Sequence, residues 1–184
     1  MNFKKIIKKL FNSNNLSSDE TYFIFNLIMN GKISDIEMTS ILIALRTKNE
    51  VKEEILGAVK SMREKSLKIY SSKNTVDTCG TGGDMSGTLN ISTSAAIVAA
   101  SAGAKIAKHG NRSISSKSGS ADMLEKLGYK ISSDVTYLEN SLKNNNFCFL
   151  FAQNHHLAMK HVANVRKQIG SRTIFNLLGP LLNP

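Results

Sequence analysis

Residues 77–84 read DTCGTGGD, and this stretch decides how the chain folds. Its first residues complete a short run, 75–79, that predicts a β-strand, and a run of small apolar residues, 92–102, predicts a helix packed closely against a sheet. Three glycines in four positions allow backbone N–H groups to approach a ligand closely, so the loop can form an anion-binding nest. The succession of strand, glycine-rich loop and helix indicates a phosphate site in an α/β domain.

Known nucleotide-binding loops fit this glycine run poorly. Gly82 and Gly87 have the spacing of a P-loop, but Thr88 and Leu89 stand where that motif requires Lys and Ser or Thr. The dinucleotide fingerprint lacks its third glycine, because Met85 occupies that position. A glycine-rich turn that merely connects a strand to a helix therefore stays open as the alternative.

Two further segments carry polar side chains that suit an oxyanion. Asn90 and the hydroxyl residues 92–94 crowd the start of a helix, where one N-cap suffices and the surplus could face a phosphate or a hydrated cation. Residues 108–117 combine three cations with neutral hydrogen-bonding groups. The cations are Lys108, Arg112 and Lys117, and the neutral groups are Asn111, Ser113, Ser115 and Ser116. Helix capping alone and a solvated basic loop are the respective alternatives.

The chain divides into an all-helical part, residues 1–70, and a mixed part, residues 71–184. Residues 1–70 show helical spacing of apolar residues throughout, and Ser34 with Glu37 forms a capping-box pattern. The mixed part alternates strand and helix patterns, which favours a parallel sheet. Its predicted elements are strands at 75–79, 105–107 and 147–151, helices at 92–102, 119–127 and 135–143, and a polar loop at 109–118. Three strands are few for such a sheet, so we expect an incomplete, mainly parallel α/β domain.

Composition limits the functional classes. The chain has 184 residues, and 24 Lys and Arg against 14 Asp and Glu give a net charge of +10. No aromatic-and-basic stripe accompanies that charge, so we expect no nucleic-acid partner. The basic, apolar start at residues 3–11 predicts an amphipathic helix that packs within the protein, and we expect no membrane partner. Cys79 and Cys148 have no paired spacing, which favours a reduced, cytoplasmic location with both as small buried hydrophobes.

Four runs resemble one enzyme family over essentially the whole chain. These runs are DTCGTGGD, TLNISTSAA, KHGNRSISSKSGSADMLEKLG and VANVRKQIGSRTIFNLLGPLLNP. They resemble anthranilate phosphoribosyltransferase of tryptophan biosynthesis, which transfers the phosphoribosyl group of phosphoribosyl pyrophosphate (PRPP) to the amino group of anthranilate and releases pyrophosphate. The resemblance implies a nucleoside phosphorylase/phosphoribosyltransferase-like fold, Mg²⁺ as cofactor, and homodimers that associate through the helical domain.

The resemblance also implies site residues. It assigns PRPP binding to Gly80, Gly83, Asp84, Thr88, Asn90, Ile91, Ser92, Thr93, Lys108, His109, Gly110, Asn111, Arg112, Ser113, Ile114, Ser115, Ser116 and Ser120. It assigns anthranilate binding to Gly80, Asn111 and Arg166, with Arg166 pairing with the carboxylate, and Mg²⁺ binding to Ser92. We expect no catalytic nucleophile from the protein, because the aromatic amine is itself the nucleophile and the enzyme's work is orientation and charge stabilisation.

Several expectations stay open at this stage. The family's adjacent Asp–Glu pair for Mg²⁺ would lie beyond residue 184, so we expect a fragment, a truncated gene product or half of an assembly, with little activity alone. His155 and His156 could line the acceptor channel or serve ordinary packing, and His161 has the wrong spacing for a zinc pair. A pyrimidine nucleoside phosphorylase and a non-catalytic nucleic-acid-binding relative are the alternative functions.

Overall fold

The computed structural model describes residues 1–80, 90–112 and 119–184. In chain order the helices and strands are α1 (Phe3–Phe11), α2 (Ser18–Met29), α3 (Asp35–Lys48), α4 (Lys52–Glu64), α5 (Ile91–Ser101), β1 (Ile106–Gly110), α6 (Ser120–Lys126), α7 (Val135–Asn145), β2 (Phe147–Phe151), α8 (Ala152–His155), α9 (Lys160–Ile169) and α10 (Ile174–Leu178). Single 3₁₀ turns occupy Leu157–Met159 and Gly179–Leu181.

These residues form two compact units. The helical unit comprises Met1–Ser66 and Leu157–Leu182, and the α/β unit comprises Leu67–His156 and Asn183–Pro184. The predicted division at residue 70 did not anticipate that the chain returns to the helical unit. Burial of apolar side chains explains why the chain returns: α9 and α10 bury Val162, Ile174 and their neighbours in the same core as the first four helices.

The helical unit follows from its caps and its apolar stripes. Ser17 and Ser34 both form complete capping boxes, with Glu20 and Glu37 as the reciprocal partners, and the second of them confirms the capping box predicted from the sequence. Ile6 and Leu10 of α1 are buried in the core of this unit, which confirms that the amphipathic first helix packs within the protein. No helix among the residues described is long and apolar enough to cross a membrane.

The α/β unit is built around two parallel strands. β1 and β2 pair from Ile106 with Phe147 to Gly110 with Phe151, and Val76 adds a single parallel bridge to Ile106. Apolar clusters cover both faces of the sheet: α5 and α6 pack on one side and α7 on the other. An all-helical part followed by a partial α/β domain with parallel strands confirms the predicted fold class.

Two sequence predictions within this unit were wrong in extent. β1 reaches Gly110, so Lys108 and His109 lie in a buried strand and not at the edge of a polar loop. Pairing with the apolar strand β2 supplies hydrogen-bond partners for the backbone of these two residues. Their polar side chains favoured a loop, so the sequence did not predict that they belong to a strand. In the predicted strand 75–79, Val76 is the one residue that makes a bridge to another of the described residues.

Candidate functional site

The start of α6 is where several predicted site residues meet. The Asn90 amide donates to the carbonyl oxygen of Gly119 at 3.2 Å, and the Thr93 hydroxyl donates to the Ser120 hydroxyl at 3.0 Å. The amide N–H of Ala121 donates to the carbonyl oxygen of Asn111 at 3.3 Å. The structure therefore joins the start of α5, the end of β1 and the start of α6 through polar groups. We call Asn90, Thr93, Asn111 and Ser120 the polar junction.

Asn90 occupies the N-cap of α5 but does not cap it. Its side chain makes no hydrogen bond to the first turn of α5, and its amide NH₂ group donates instead to the carbonyl oxygen of Gly119. Capping alone therefore does not explain this residue. The α5 N-terminus keeps N–H groups that the Asn90 side chain does not satisfy, and such a terminus suits an anion.

Asp77 organises the backbone next to the glycine run. One carboxylate oxygen accepts the amide N–H groups of Cys79 at 3.0 Å and His109 at 3.1 Å. The other accepts the Asn183 amide at 2.8 Å, and the same amide also donates to the carbonyl oxygen of Ala107 at 2.9 Å. Sequence reasoning assigned no role to Asp77 or Asn183. Asp77 at the head of DTCGTGGD was the available signal, whereas nothing in the sequence singled out Asn183.

Lys108 and His109 are both withdrawn from solvent on β1. Lys108 is 1% exposed, and burial lowers the pKa of its ammonium group while the charges of Asp77 and Cys79 act to raise it. A buried cation with a lowered pKa would gain from an anionic ligand. The His109 ring lies edge-on to the ring of His156, with 5.4 Å between centroids.

Arg112 is engaged by two carboxylates at the surface. Its guanidinium makes two hydrogen bonds to Glu125, at 2.6 and 2.7 Å, and a third to Asp122 at 3.2 Å. The hydrogen bonds to Glu125 and Asp122 raise the pKa of Arg112. Any phosphate that Arg112 binds must therefore compete with Glu125.

Gly80 and Gly110 have opposite surroundings. A Cβ atom on Gly80 would meet no atom of the described residues within 4 Å. A Cβ atom on Gly110 would lie 2.8 Å from the Phe149 ring and 3.1 Å from Cβ of Ser120. Gly110 is therefore required by packing, whereas no described residue constrains Gly80, which the resemblance assigns to binding.

The remaining predicted residues have separate places. Ser92 is exposed in the first turn of α5, and its carbonyl oxygen accepts the Thr78 hydroxyl at 2.8 Å. Ile91 beside it is 66% exposed. Arg166 belongs to the helical unit, where its guanidinium lies 5.5 Å from the centroid of the Phe175 ring. Seven predicted PRPP residues lie outside the described ranges: Gly83, Asp84, Thr88, Ser113, Ile114, Ser115 and Ser116.

The two cysteines differ from each other. Cys148 is fully buried on β2, as expected, and burial raises the pKa of its thiol to about 12. Cys79 is only half-buried, so its expected place in an apolar core was wrong. Burial and the neighbouring charge of Asp77 raise the pKa of Cys79, which makes it a poor nucleophile.

Comparison with known proteins gives consistent results over the whole chain. Residues 72–184 match the family described as "Glycosyl transferase family, a/b domain", and residues 4–66 match "Glycosyl transferase family, helical bundle domain". The anthranilate phosphoribosyltransferase of Bacillus caldotenax is 48% identical over 98% of this chain and 75% of its own. Several other curated relatives are matched over 53% of their length, so this chain spans about half of them.

Two solved structures are similar over nearly all of the chain. The anthranilate phosphoribosyltransferase of Thermus thermophilus has a TM-score of 0.90 at 41% identity, covering 97% of this chain and 55% of that one. The enzyme of Saccharomyces cerevisiae in complex with PRPP and Mg has a TM-score of 0.87 at 33% identity, covering 98% and 55%.

Proposed function

Because the chain belongs to the anthranilate phosphoribosyltransferase family, we propose that it serves the transfer of a phosphoribosyl group from PRPP to the amino group of anthranilate. The products would be N-(5-phosphoribosyl)anthranilate and pyrophosphate, in tryptophan biosynthesis. The observation that carries the proposal is the polar junction, which gathers polar groups from three chain segments where the resemblance expects PRPP: the side chains of Asn90, Thr93 and Ser120 and the backbone carbonyl of Asn111. Polar groups so arranged favour a ligand rich in oxyanions.

The chain's own residues would orient the substrate and stabilise charge. The buried ammonium of Lys108 and the guanidinium of Arg112 would face the negative charge of PRPP. The junction would fix the ribose and phosphates, so that the amine of anthranilate, which is the nucleophile, meets the anomeric carbon in line. Gly80 and Asn111 would contact anthranilate, and Arg166 would pair with its carboxylate.

Mg²⁺ is the cofactor that this donor set suits. Ser92 offers an exposed hydroxyl in the first turn of α5, and a neutral oxygen is a donor that Mg²⁺ accepts while retaining several waters and phosphate oxygens. The ion would neutralise part of the charge on the departing pyrophosphate. Ser92 would hold the ion beside the N-terminus of α5, where we propose that the phosphates of PRPP bind.

The test compares two buried threonines. Thr93→Val removes the hydroxyl that bonds Ser120, whereas Thr21→Val removes a buried hydroxyl of similar size from the helical unit. We expect calorimetry with PRPP and Mg²⁺ to show binding to the wild-type chain. The Thr93→Val variant should bind PRPP severalfold more weakly, since the Ser120 hydroxyl, which the resemblance assigns to PRPP binding, loses the hydrogen-bond partner that orients it. Thr21→Val should bind normally.

An activity assay separates this function from the phosphorylase alternative. In a version of the chain extended to the length of its curated relatives, PRPP with anthranilate should give phosphoribosylanthranilate, and the loss of anthranilate fluorescence follows the reaction. Phosphate with thymidine should give no thymine. Thymidine cleavage, or binding of phosphate with no binding of PRPP, would contradict the proposal.

We also propose a cytoplasmic homodimer. The outer face of α3 supports the association, because Ile36 is 80% exposed and Ile43, two turns further on, is 43% exposed. Light scattering after gel filtration should give twice the chain mass, and Ile36→Asp should give monomers. A monomeric wild-type chain would contradict this assembly. The location is proposed because both cysteines are free thiols.

A further inference from the structure

The side chains of Asp77, Cys79 and His109 form a cluster that could bind a metal ion. The proposed reaction assigns no metal to this cluster. One ligand atom from each residue lies within 4.8 Å of the other two, a carboxylate oxygen, a thiol sulfur and a ring nitrogen. Ligands of a tetrahedral zinc ion are separated by about 3.3–3.6 Å, so a contraction of about 1 Å would bring these atoms into coordination.

The backbone prearranges this cluster. Asp77 and Cys79 are two positions apart, and the Asp77 carboxylate accepts the Cys79 N–H group as in an Asx turn, which keeps the two residues close together. The bridge from Val76 to Ile106 sets that segment beside β1, where His109 lies. The carboxylate of Asp77 binds the N–H groups of both Cys79 and His109, so one ligand already fixes the other two.

The donor chemistry selects the ion. A thiolate and an imidazole prefer Zn²⁺ and similar transition metals to Mg²⁺, which takes oxygen ligands. Thiolate and carboxylate charges together balance a divalent ion. Three protein ligands leave a fourth position for water.

We propose that Asp77, Cys79 and His109 bind a soft divalent transition-metal ion, at a site chemically distinct from that of the Mg²⁺ that accompanies PRPP. The ion would occupy the base of the glycine run and hold its first residue in place. Lys108 opposes the ion, because its ammonium interacts with the charges of Asp77 and Cys79. Binding of the metal does not depend on the proposed transfer reaction, so the two can fail separately.

Cobalt spectroscopy of the full chain without PRPP tests the site. Co²⁺ should give a thiolate-to-cobalt charge-transfer band in the near ultraviolet together with the visible bands of a four-coordinate ion. Zn²⁺ should displace Co²⁺ at equal concentration, whereas a large excess of Mg²⁺ should not. Absence of the charge-transfer band, or displacement by Mg²⁺, would overturn the proposal.

Matched variants identify the ligands. Cys79→Ser should abolish the charge-transfer band, and Cys148→Ala, which removes the other thiol, should leave it unchanged. His109→Gln and Asp77→Asn should each weaken Co²⁺ binding by at least about tenfold, since even outer-shell changes cost about 10–100-fold. Lys108→Met should tighten binding by removing a like charge. A band that survives in Cys79→Ser, or weaker binding in Lys108→Met, would place the metal elsewhere.

Discussion

Glu54 in the helical unit and Lys108 in the α/β unit are both removed from solvent, but their surroundings differ. Glu54 accepts the N–H groups of Leu16 at 2.8 Å and Val51 at 3.0 Å, and it pairs with the buried Lys48 at 2.7 Å. Lys108 has Asp77 and Cys79 as electrostatic neighbours, yet burial dominates and lowers its pKa. Glu54 is thus part of a closed structural network, whereas the charge of Lys108 is maintained at a cost.

The same contrast extends to the apolar surfaces of the two units. The helical unit buries its stripes in one continuous core that includes Phe25, Ile28 and Leu45. In the α/β unit α5 is apolar on several sides and leaves Val98 68% exposed, while polar side chains take buried places. Lys108 and His109 are among these buried polar residues, and it is in this unit that we place binding.

The largest effect should come from breaking the closed network. Glu54→Ala leaves Lys48 buried without its partner and two N–H groups without an acceptor, so we expect a loss of about 3–5 kcal/mol in the free energy of unfolding. Urea unfolding followed by circular dichroism measures it. Glu53→Ala, at the neighbouring exposed position, is the control and should change stability little. Equal losses in the two variants would show that the network is not what stabilises the unit.

The next effect compares two glycines within the α/β unit. Gly110→Ala forces a methyl group against the Phe149 ring and Ser120, so we expect a loss of about 1–3 kcal/mol. Gly80→Ala meets no neighbour among the described residues and should unfold at the wild-type urea concentration, while PRPP affinity falls because the backbone is less approachable. Stability is read from urea unfolding and affinity from calorimetry. A destabilised Gly80→Ala, or one with wild-type affinity, would contradict the division between packing and binding.

The sequence predicted the two units unequally for a physical reason. In the helical unit the signals are local: Ser34 and Glu37 are three residues apart and cap the helix that follows them. In the α/β unit the deciding contacts are distant. Asp77 binds the backbone at His109 and the side chain of Asn183, and no periodicity or spacing links these positions. The resemblance marked Lys108 and His109 as site residues, but only the strand pairing shows that they are buried.

A smaller effect concerns a buried histidine of the α/β unit. His155 is 0% exposed, and burial lowers its pKa below the ordinary 6.5, although the hydrogen bond to the carbonyl oxygen of Leu67 acts to raise it. The unfolded chain therefore binds a proton before the folded chain does. Stability should be full above pH 6.5 and should fall as the pH drops below 6.5 towards the lowered pKa of the folded state. Urea unfolding at about pH 7.5 and about pH 5.5, on either side of the ordinary histidine pKa, measures the fall.

The control for this prediction keeps the hydrogen bond and removes the titration. His155→Asn retains a donor to Leu67 but takes up no proton in this range. The free energy of unfolding of the variant should depend less on pH than that of the wild type. It should also be lower at every pH, because the smaller side chain fills less of the buried space. An identical pH dependence in both proteins would assign the effect to other groups.

The smallest effect on stability, and the most direct link between structure and binding, concerns Arg112. Glu125→Gln weakens the bidentate pair that now engages the guanidinium, and because both side chains are exposed, the unfolding transition should not move measurably. PRPP affinity should rise severalfold, since the phosphate no longer competes with a carboxylate. Glu53→Gln makes the same charge change on the helical unit and separates this competition from the gain in net charge. Weaker PRPP binding in Glu125→Gln would mean that Glu125 orients Arg112 for the ligand. The exposed ion pair of the α/β unit would then hold a binding residue in place, as the buried pair of Lys48 and Glu54 holds the helical unit together.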